Sequence, residues 1–268
     1  MLRGAPLHVR GAAFGLALCV AVAGCASAPT DATPAEPVAP ASPTATMITS
    51  NPAPPADWEV IGKSVEGRPI RMRSLGSGPR HVLFIGGIHG DEPEGAYTTE
   101  QLPDAFSQAG LGDAVTLTIL EDANPDGRAA GTRGNSNGVD VNRNFPASNF
   151  DAGNPANGSR PLSQPEAVAV VAAIDRTTPN LIIVAHAWAG KQFINFDGPA
   201  RQIAEQFSAT SGLKVEASNE FAPTPGSLGS YAGRDRGIPL LTIEVLKGSD
   251  PRKVWEQLHP ALIDAIRG

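Results

Sequence analysis

The stretch VLFIGGIHGDEPEG, residues 82–95, decides how this chain is read. Val82 to Ile85 form a short apolar run of the kind that is buried on both faces of a parallel sheet. Two glycines follow, then His89, Asp91 and Glu92 arrive almost together, and Pro93 stands where a helix begins. A strand that passes into a helix through an imidazole and two carboxylates suggests an α/β domain, in which sites form beyond the carboxyl ends of the strands.

At a spacing of three residues on a turn entering a helix, His89 and Glu92 can converge on one point. One ring nitrogen and one carboxylate oxygen suit zinc, which needs a third protein ligand and an open fourth position to be catalytic. The alternative is that Asp91, Glu92 and Glu94 only favour the positive end of the helix that follows.

Working outward, HVLFIGG (81–87), VTLTIL (115–120), LIIVA (181–185) and LLTIEVL (240–246) read as buried strands. Between them lie the amphipathic stretches SQPEAVAVVAAIDR (163–176), ARQIAEQFSA (200–209) and DPRKVWEQLHPALIDAIR (250–267), the last with Pro260 expected to kink or interrupt it. WEVIGKSVEGRPIRMRSLG (58–76) alternates like a hairpin pair at a sheet edge. The expectation is one α/β domain over 58–268, with a mixed, mostly parallel sheet flanked by helices. No internal repeat is present.

The N-terminal residues are of another kind. Arg3 and Arg10 precede an apolar run from Gly11 to Val22 that is too short to span a bilayer, so residues 1–24 read as a cleaved export signal. The run ends in Val22-Ala23-Gly24-Cys25, which resembles a bacterial lipobox, with Cys25 as the lipidated first residue of the mature chain. An ordinary signal peptide cut after Ala26 or Ala28 is the alternative. Residues 26–57 carry eight prolines and nine alanines and read, with Cys25, as a flexible tether from 25 to 57. Cys19 and Cys25 are the only cysteines, so the mature chain would hold no disulfide and rest on its core alone.

Loss of Arg3 and Arg10 moves the formal charge from −6 to −8. With no basic block, nothing points to nucleic acid.

Three further features bear on chemistry. His186 ends LIIVAH, at the sheet edge where His89 is expected, whereas His81 starts a strand and His259 lies within the last helix. The segment 124–146 is dense in Gly and Asn and carries Arg128, Arg133, Asn142 and Arg143. It reads as a long surface loop, or as a functional one able to hold a carboxylate and a developing oxyanion. Glu244 is an acid inside a strand expected to be buried, so it needs Lys247, an arginine or a metal-associated water as its counterpart.

In one order, HGDE, NPDG, GVDVNRNFP, the AH ending of 181–186, TPGS (224–227) and TIE (242–244) resemble the zinc metallocarboxypeptidase family of the carboxypeptidase A and B type. Within it, the short bacterial murein peptide amidases are the most similar branch. The resemblance covers about 58 to 268 and implies a zinc carboxypeptidase-like fold. It implies one Zn2+ held by His89, Glu92 and His186, with Glu244 as the general base that activates the attacking water. It also implies that Arg133 steadies the oxyanion, that Asn142 and Arg143 bind the substrate's terminal carboxylate, and that Asp140 orients the first zinc histidine. Larger members place a tyrosine in a loop before the last strand; here Phe221 and Ala222 hold that place, the nearest tyrosine is Tyr231, and no tyrosine role is assigned.

The implied activity is hydrolysis of an amide next to a C-terminal carboxylate, with cleavage of γ-D-glutamyl-diaminopimelate in murein peptides as the leading expectation. Asn195, Asp197, Arg234 and Asp235 are candidates for the polar end of the pocket, with solvated loop positions as the alternative for each. A broader periplasmic metallocarboxypeptidase is the alternative within the class. An aspartoacylase-like deacylase shares the zinc layout but lacks the NPDG and GVDVNRNFP pattern. A non-catalytic peptide-binding module would have lost a ligand or the base, yet all four residues are present. The expected location is periplasmic, with the lipid as the only membrane contact, at the outer membrane.

Overall fold

A computed structural model describes residues 58–217 and 224–268 of the chain. The proposed signal, Cys25 and tether, and the Phe221–Ala222 position, lie outside the described residues.

The strands are β1 (Glu59–Lys63), β2 (Pro69–Leu75), β3 (Arg80–Ile85), β4 (Val115–Leu120), β5 (Leu181–Trp188), β6 (Phe193–Asp197), β7 (Val215–Ala217) and β8 (Leu240–Leu246). The helices are α1 (Glu94–Gln108), α2 (Pro125–Ala130), α3 (Pro165–Thr177), α4 (Arg201–Ser211) and α5 (Pro251–Arg267). The strands form one mixed sheet in the order β1-β2-β4-β3-β5-β8-β6-β7. Its centre, β4-β3-β5-β8, is parallel, the β1–β2 hairpin joins β4 antiparallel, and β6 runs antiparallel to β8. The domain is therefore a single α/β unit with helices on both faces, as the alternation of runs implies.

Two-residue alternation explains why the central strands read as continuous apolar runs. Val82, Phe84, Leu181, Ile183, Leu241 and Ile243 face one core, shared with α1, α4 and α5. Leu83, Ile85, Ile182, Val184 and Leu240 face the other, shared with α3 and with Leu228 and Ala232. On β8 that second face continues as Thr242 and Glu244, and on β5 as His186. Polar residues thus replace apolar ones where the α3 face reaches the carboxyl end of the sheet.

Two expectations change, and two strands go beyond them. Helix α5 runs through Pro260 without a break. Strands β6 and β7 were not legible, because FINFD is short and interrupts its apolar residues with Asn195 and Asp197. The segment 124–146 is not a solvated loop: Asn124, Asp126, Asn135 and Asn144 are buried within it.

Candidate metal centre and substrate pocket

His89 and Glu92 occupy the turn between β3 and α1, and His186 lies near the end of β5. Their ligand atoms all fall within 4.8 Å of one another, and all three side chains are buried. Both imidazoles turn Nδ1 toward the same carboxylate: His89 Nδ1 is 2.8 Å from Glu92 Oε1, and His186 Nδ1 is 2.9 Å from Oε2. The Ala187 amide donates to Glu92 Oε2 at 3.0 Å, tying the turn to β5. Two imidazole nitrogens and one carboxylate, open to a cleft on one side, match the donor set of a catalytic zinc site and could hold a metal ion.

The support around this trio is specific. His89 Nε2 lies 3.0 Å from Asp140 Oδ1, which leaves Nδ1 free to face the cluster. Asp140 Oδ2 accepts from Arg133 Nε at 3.0 Å, and Arg133 Nη1 reaches Glu92 Oε1 at 3.3 Å. The Asn142 amide nitrogen is 3.4 Å from His186 Nε2, while its oxygen accepts from the Leu228 amide at 2.9 Å. Arg143 donates to the Asn142 carbonyl at 2.8 Å.

The Asn- and Gly-rich segment is what brings these groups in. Asn124 caps α2 by accepting from the Gly127 amide at 2.9 Å, and its Nδ2 donates to the carbonyls of Ile88 and Arg133. Gly127 in turn lies against Gly90, so close that a Cβ on Gly90 would stand 1.8 Å from the Gly127 carbonyl carbon. NPDG and HGDE are thus two sides of one backbone contact. Further along, Asn135 and Asn144 bond to Gln164, Glu166 and Ser163, so side-chain amides do the work that a strand ladder would otherwise do.

Charge in the cluster is strongly organised. Burial disfavours ionised Glu92, but the hydrogen bonds and fields of His186 and His89 outweigh it and hold the carboxyl well below the usual range. Burial likewise opposes Asp140, and His89, Arg133 and Arg143 overcome it in the same direction. His89 is pulled down by burial, yet Asp140 and Glu92 leave it raised. Glu244 behaves oppositely: burial pushes its carboxyl above the ordinary value, only partly offset by His186.

A cleft of about 280 Å³ opens beside the trio. His89, Glu92, Arg133, Asn142, Arg143, His186 and Glu244 all line it, whereas Asp140 is reached only through His89 and Arg133. Its other wall comes from the unforeseen β6, whose Phe193, Asn195 and Asp197 share a face by alternation, together with Thr242, Thr224 and Trp188. Asp197 accepts from Arg234 Nε at 2.9 Å, but Asp235 is committed elsewhere, to the amide and hydroxyl of Ser148. Tyr231 stacks on Phe145 with its hydroxyl near Arg236, and is absent from the pocket lining. His81 bonds to the Thr177 carbonyl, and His259 stacks on Trp255, both away from the cleft.

A buried His-Glu-His trio at the carboxyl edge of a mixed sheet, with an acid and arginines in the same cleft, defines a metal-dependent hydrolase. The zinc carboxypeptidase family model matches residues 55–222, and the chain belongs to that family. The chain is 28% identical to murein peptide amidase A of Escherichia coli K12 over 207 residues, covering 71% of this chain and 81% of that one. It is 25% identical over 250 residues to γ-D-glutamyl-L-diamino acid endopeptidase 1 of Lysinibacillus sphaericus, covering 73% and 62%. The crystal structure of murein-tripeptide amidase from E. coli O157 superposes with a TM-score of 0.66 at 25% identity, covering 81% of this chain and 94% of that one. Thrombin-activatable fibrinolysis inhibitor, at 18% identity and TM-score 0.66, shares the fold.

Proposed function

We propose that the enzyme cleaves the amide bond before a C-terminal residue, and that its substrates are murein peptides with a γ-D-glutamyl-diaminopimelate bond. The observation that carries this reading is the single cleft in which the His89–Glu92–His186 trio meets Glu244, Arg133 and Arg143. The names of the relatives support the substrate class.

In this reading one zinc ion per chain is held by His89, Glu92 and His186. When bound, it would supply Lewis acidity toward the scissile carbonyl and the attacking water. Glu244 takes the proton from the attacking water and passes it to the leaving amine. Arg133 offers its guanidinium to the carbonyl oxygen as charge develops there. Arg143 and Asn142 hold the free carboxylate of the leaving residue, the arginine by a two-pronged ionic contact that lysine would not match. Asp140 keeps His89 and Arg133 in place. At the far wall, the carboxylate of Asp197, which Arg234 pairs from outside the cleft lining, matches the ammonium at the distal end of diaminopimelate.

Export and lipidation at Cys25 complete the proposal, tethering the enzyme through residues 25–57 on the wall-facing side of the outer membrane. No helix among the described residues is long and apolar enough to cross a membrane.

The test is incubation of the purified protein with L-Ala-γ-D-Glu-meso-diaminopimelate, with and without a chelator, following released diaminopimelate by mass spectrometry. Chelator-sensitive release is expected. No release by zinc-loaded protein, together with release of residues from ordinary peptide C-termini, would replace the murein reading with a broader carboxypeptidase.

A further inference from the structure

Asp91 and Glu94 flank Glu92, and the roles proposed above leave both unused. Both carboxylates reach the same short segment, the turn that follows β8. Asp91 Oδ2 pairs with Lys247 Nζ at 2.6 Å. Glu94, only 3% exposed, accepts from the Gly248 amide through Oε1. Gly248 has φ +83, a left-handed conformation that favours glycine in this turn. The Lys247 amide also donates to the Trp188 carbonyl at 3.0 Å, so the turn is held to the end of β5 as well.

A role in stability alone explains these contacts poorly. Asp91 Oδ1 and Glu94 Oε2 are both buried and have no hydrogen-bond partner among the described residues. A buried carboxylate oxygen left unmatched costs free energy that an apolar side chain would avoid. Two such acids in four residues, each directed to one turn, call for a gain elsewhere.

The topology shows where that gain lies. His186 and Glu244 are fixed to each other by the β5–β8 ladder, and Glu92 is fixed to β5 through the Ala187 amide. Strand β3, which carries the His89–Glu92 turn, is separated from β8 by β5 and shares no ladder with it. Direct polar links from that turn and the start of α1 to the end of β8 run through Lys247 and Gly248, three and four residues beyond Glu244.

We infer that Asp91 and Glu94, acting through Lys247 and the Gly248 amide, are positioning residues that hold Glu244 in register with the metal-binding turn. This inference rests on Glu244 being the general base. A misplacement of about 1 Å at such a base costs on the order of a hundredfold in rate, so the effect falls on kcat.

Lys247 is the residue to change, because it is distant in sequence from the metal cluster. For Lys247→Ala, kcat should fall about ten- to a hundredfold. KM and zinc affinity, the latter from chelator competition, should stay within about twofold, and Lys247→Arg should recover most of the loss. Glu94→Gln, which keeps an acceptor for the Gly248 amide, should retain more activity than Glu94→Ala. An unchanged kcat in Lys247→Ala, or a fall matched by zinc loss or by a rise in KM, would overturn the inference. If instead the unaltered enzyme releases no residue from any C-terminal peptide, it is the proposed function that fails.

Discussion

His186 and Glu244 stand directly opposite one another in the parallel pairing of β5 with β8, on the face of the sheet that borders the cleft. A backbone ladder, not a flexible loop, therefore sets the spacing between one imidazole of the metal cluster and the acid. Burial also pushes the Glu244 carboxyl above its ordinary value. Glu244→Gln preserves shape and removes the proposed base. Turnover should fall on the order of 10²- to 10⁴-fold, while zinc content, measured by elemental analysis, stays as in the unaltered protein. Retained turnover would remove Glu244 from the chemistry.

Asp140 acts on the cluster from behind. It binds His89 Nε2 and Arg133 Nε with separate oxygens, so one side chain orients both an imidazole and a guanidinium. Replacing it with Ala should weaken zinc binding by about 10- to 100-fold. The same variant should lower kcat at saturating zinc, because Arg133 loses its anchor. A chelator titration followed by kinetics in excess zinc separates the two effects; unchanged zinc affinity would mean that His89 is oriented by other contacts.

Gly90 offers a test of how the two motifs are joined. Any side chain there meets the Gly127 backbone, which has no flexible end to move aside. Gly90→Ala should destabilise the fold by roughly 1–3 kcal/mol or more, with zinc affinity lost in parallel because His89 and Glu92 sit on that turn. Thermal melts with and without zinc would show this, and an unshifted melt would contradict the close approach.

The central sheet was legible because β3, β4, β5 and β8 are buried on both faces, and such strands must be apolar throughout. His89 and Glu92 follow one such run and His186 ends another at the same edge, and the resemblance to the zinc carboxypeptidases implied that the three meet. The β6 wall was hidden because a strand that lines a polar cleft on one face loses the continuous apolar signal. The internal order of 124–146 was hidden too, since buried asparagines such as Asn124 and Asn144 look like surface residues until their partners are known. The place of Asp235 stayed open for want of its partner, Ser148, 87 residues away in sequence.

The same hidden segment yields a pH-dependent prediction. Asp126 is buried and accepts from Ser64 Oγ at 2.6 Å, Arg68 Nη1 at 2.6 Å and the Glu66 amide at 2.8 Å, joining α2 to the β1–β2 turn. Burial opposes its charge, but these bonds outweigh it and lower its pKa. A lowered folded-state pKa adds stability above the unfolded value of about 3.9, which is lost as the pH falls through the folded one. Asp126→Asn should therefore cost about 1–3 kcal/mol at pH 7. The gap to the unaltered protein should narrow between about pH 5 and pH 2, read by denaturant melts at each pH. A gap independent of pH would show that the charge of Asp126 contributes nothing.

Asp197 carries the prediction about specificity. Its carboxylate sits at the far wall of the cleft, bonded to Arg234, and Gly229 and Gly233 pack against it so closely that a Cβ on either would strike it. Such enclosure fixes where the negative charge can act. A substrate residue with an ammonium at its distal end would meet that charge, whereas a C-terminal alanine would not reach it. Asp197→Ala should therefore lower kcat/KM for the diaminopimelate tripeptide by about 10- to 100-fold or more, since a polar group built to be matched discriminates strongly when its partner is removed. Release of a C-terminal alanine should change by less than about threefold on the same scale of unreached contacts. Competition between the two peptides in one reaction, followed by mass spectrometry, measures the ratio directly. An equal loss for both would make Asp197 a support for the π-helical turn Gly229–Asp235 and not a reader of the substrate.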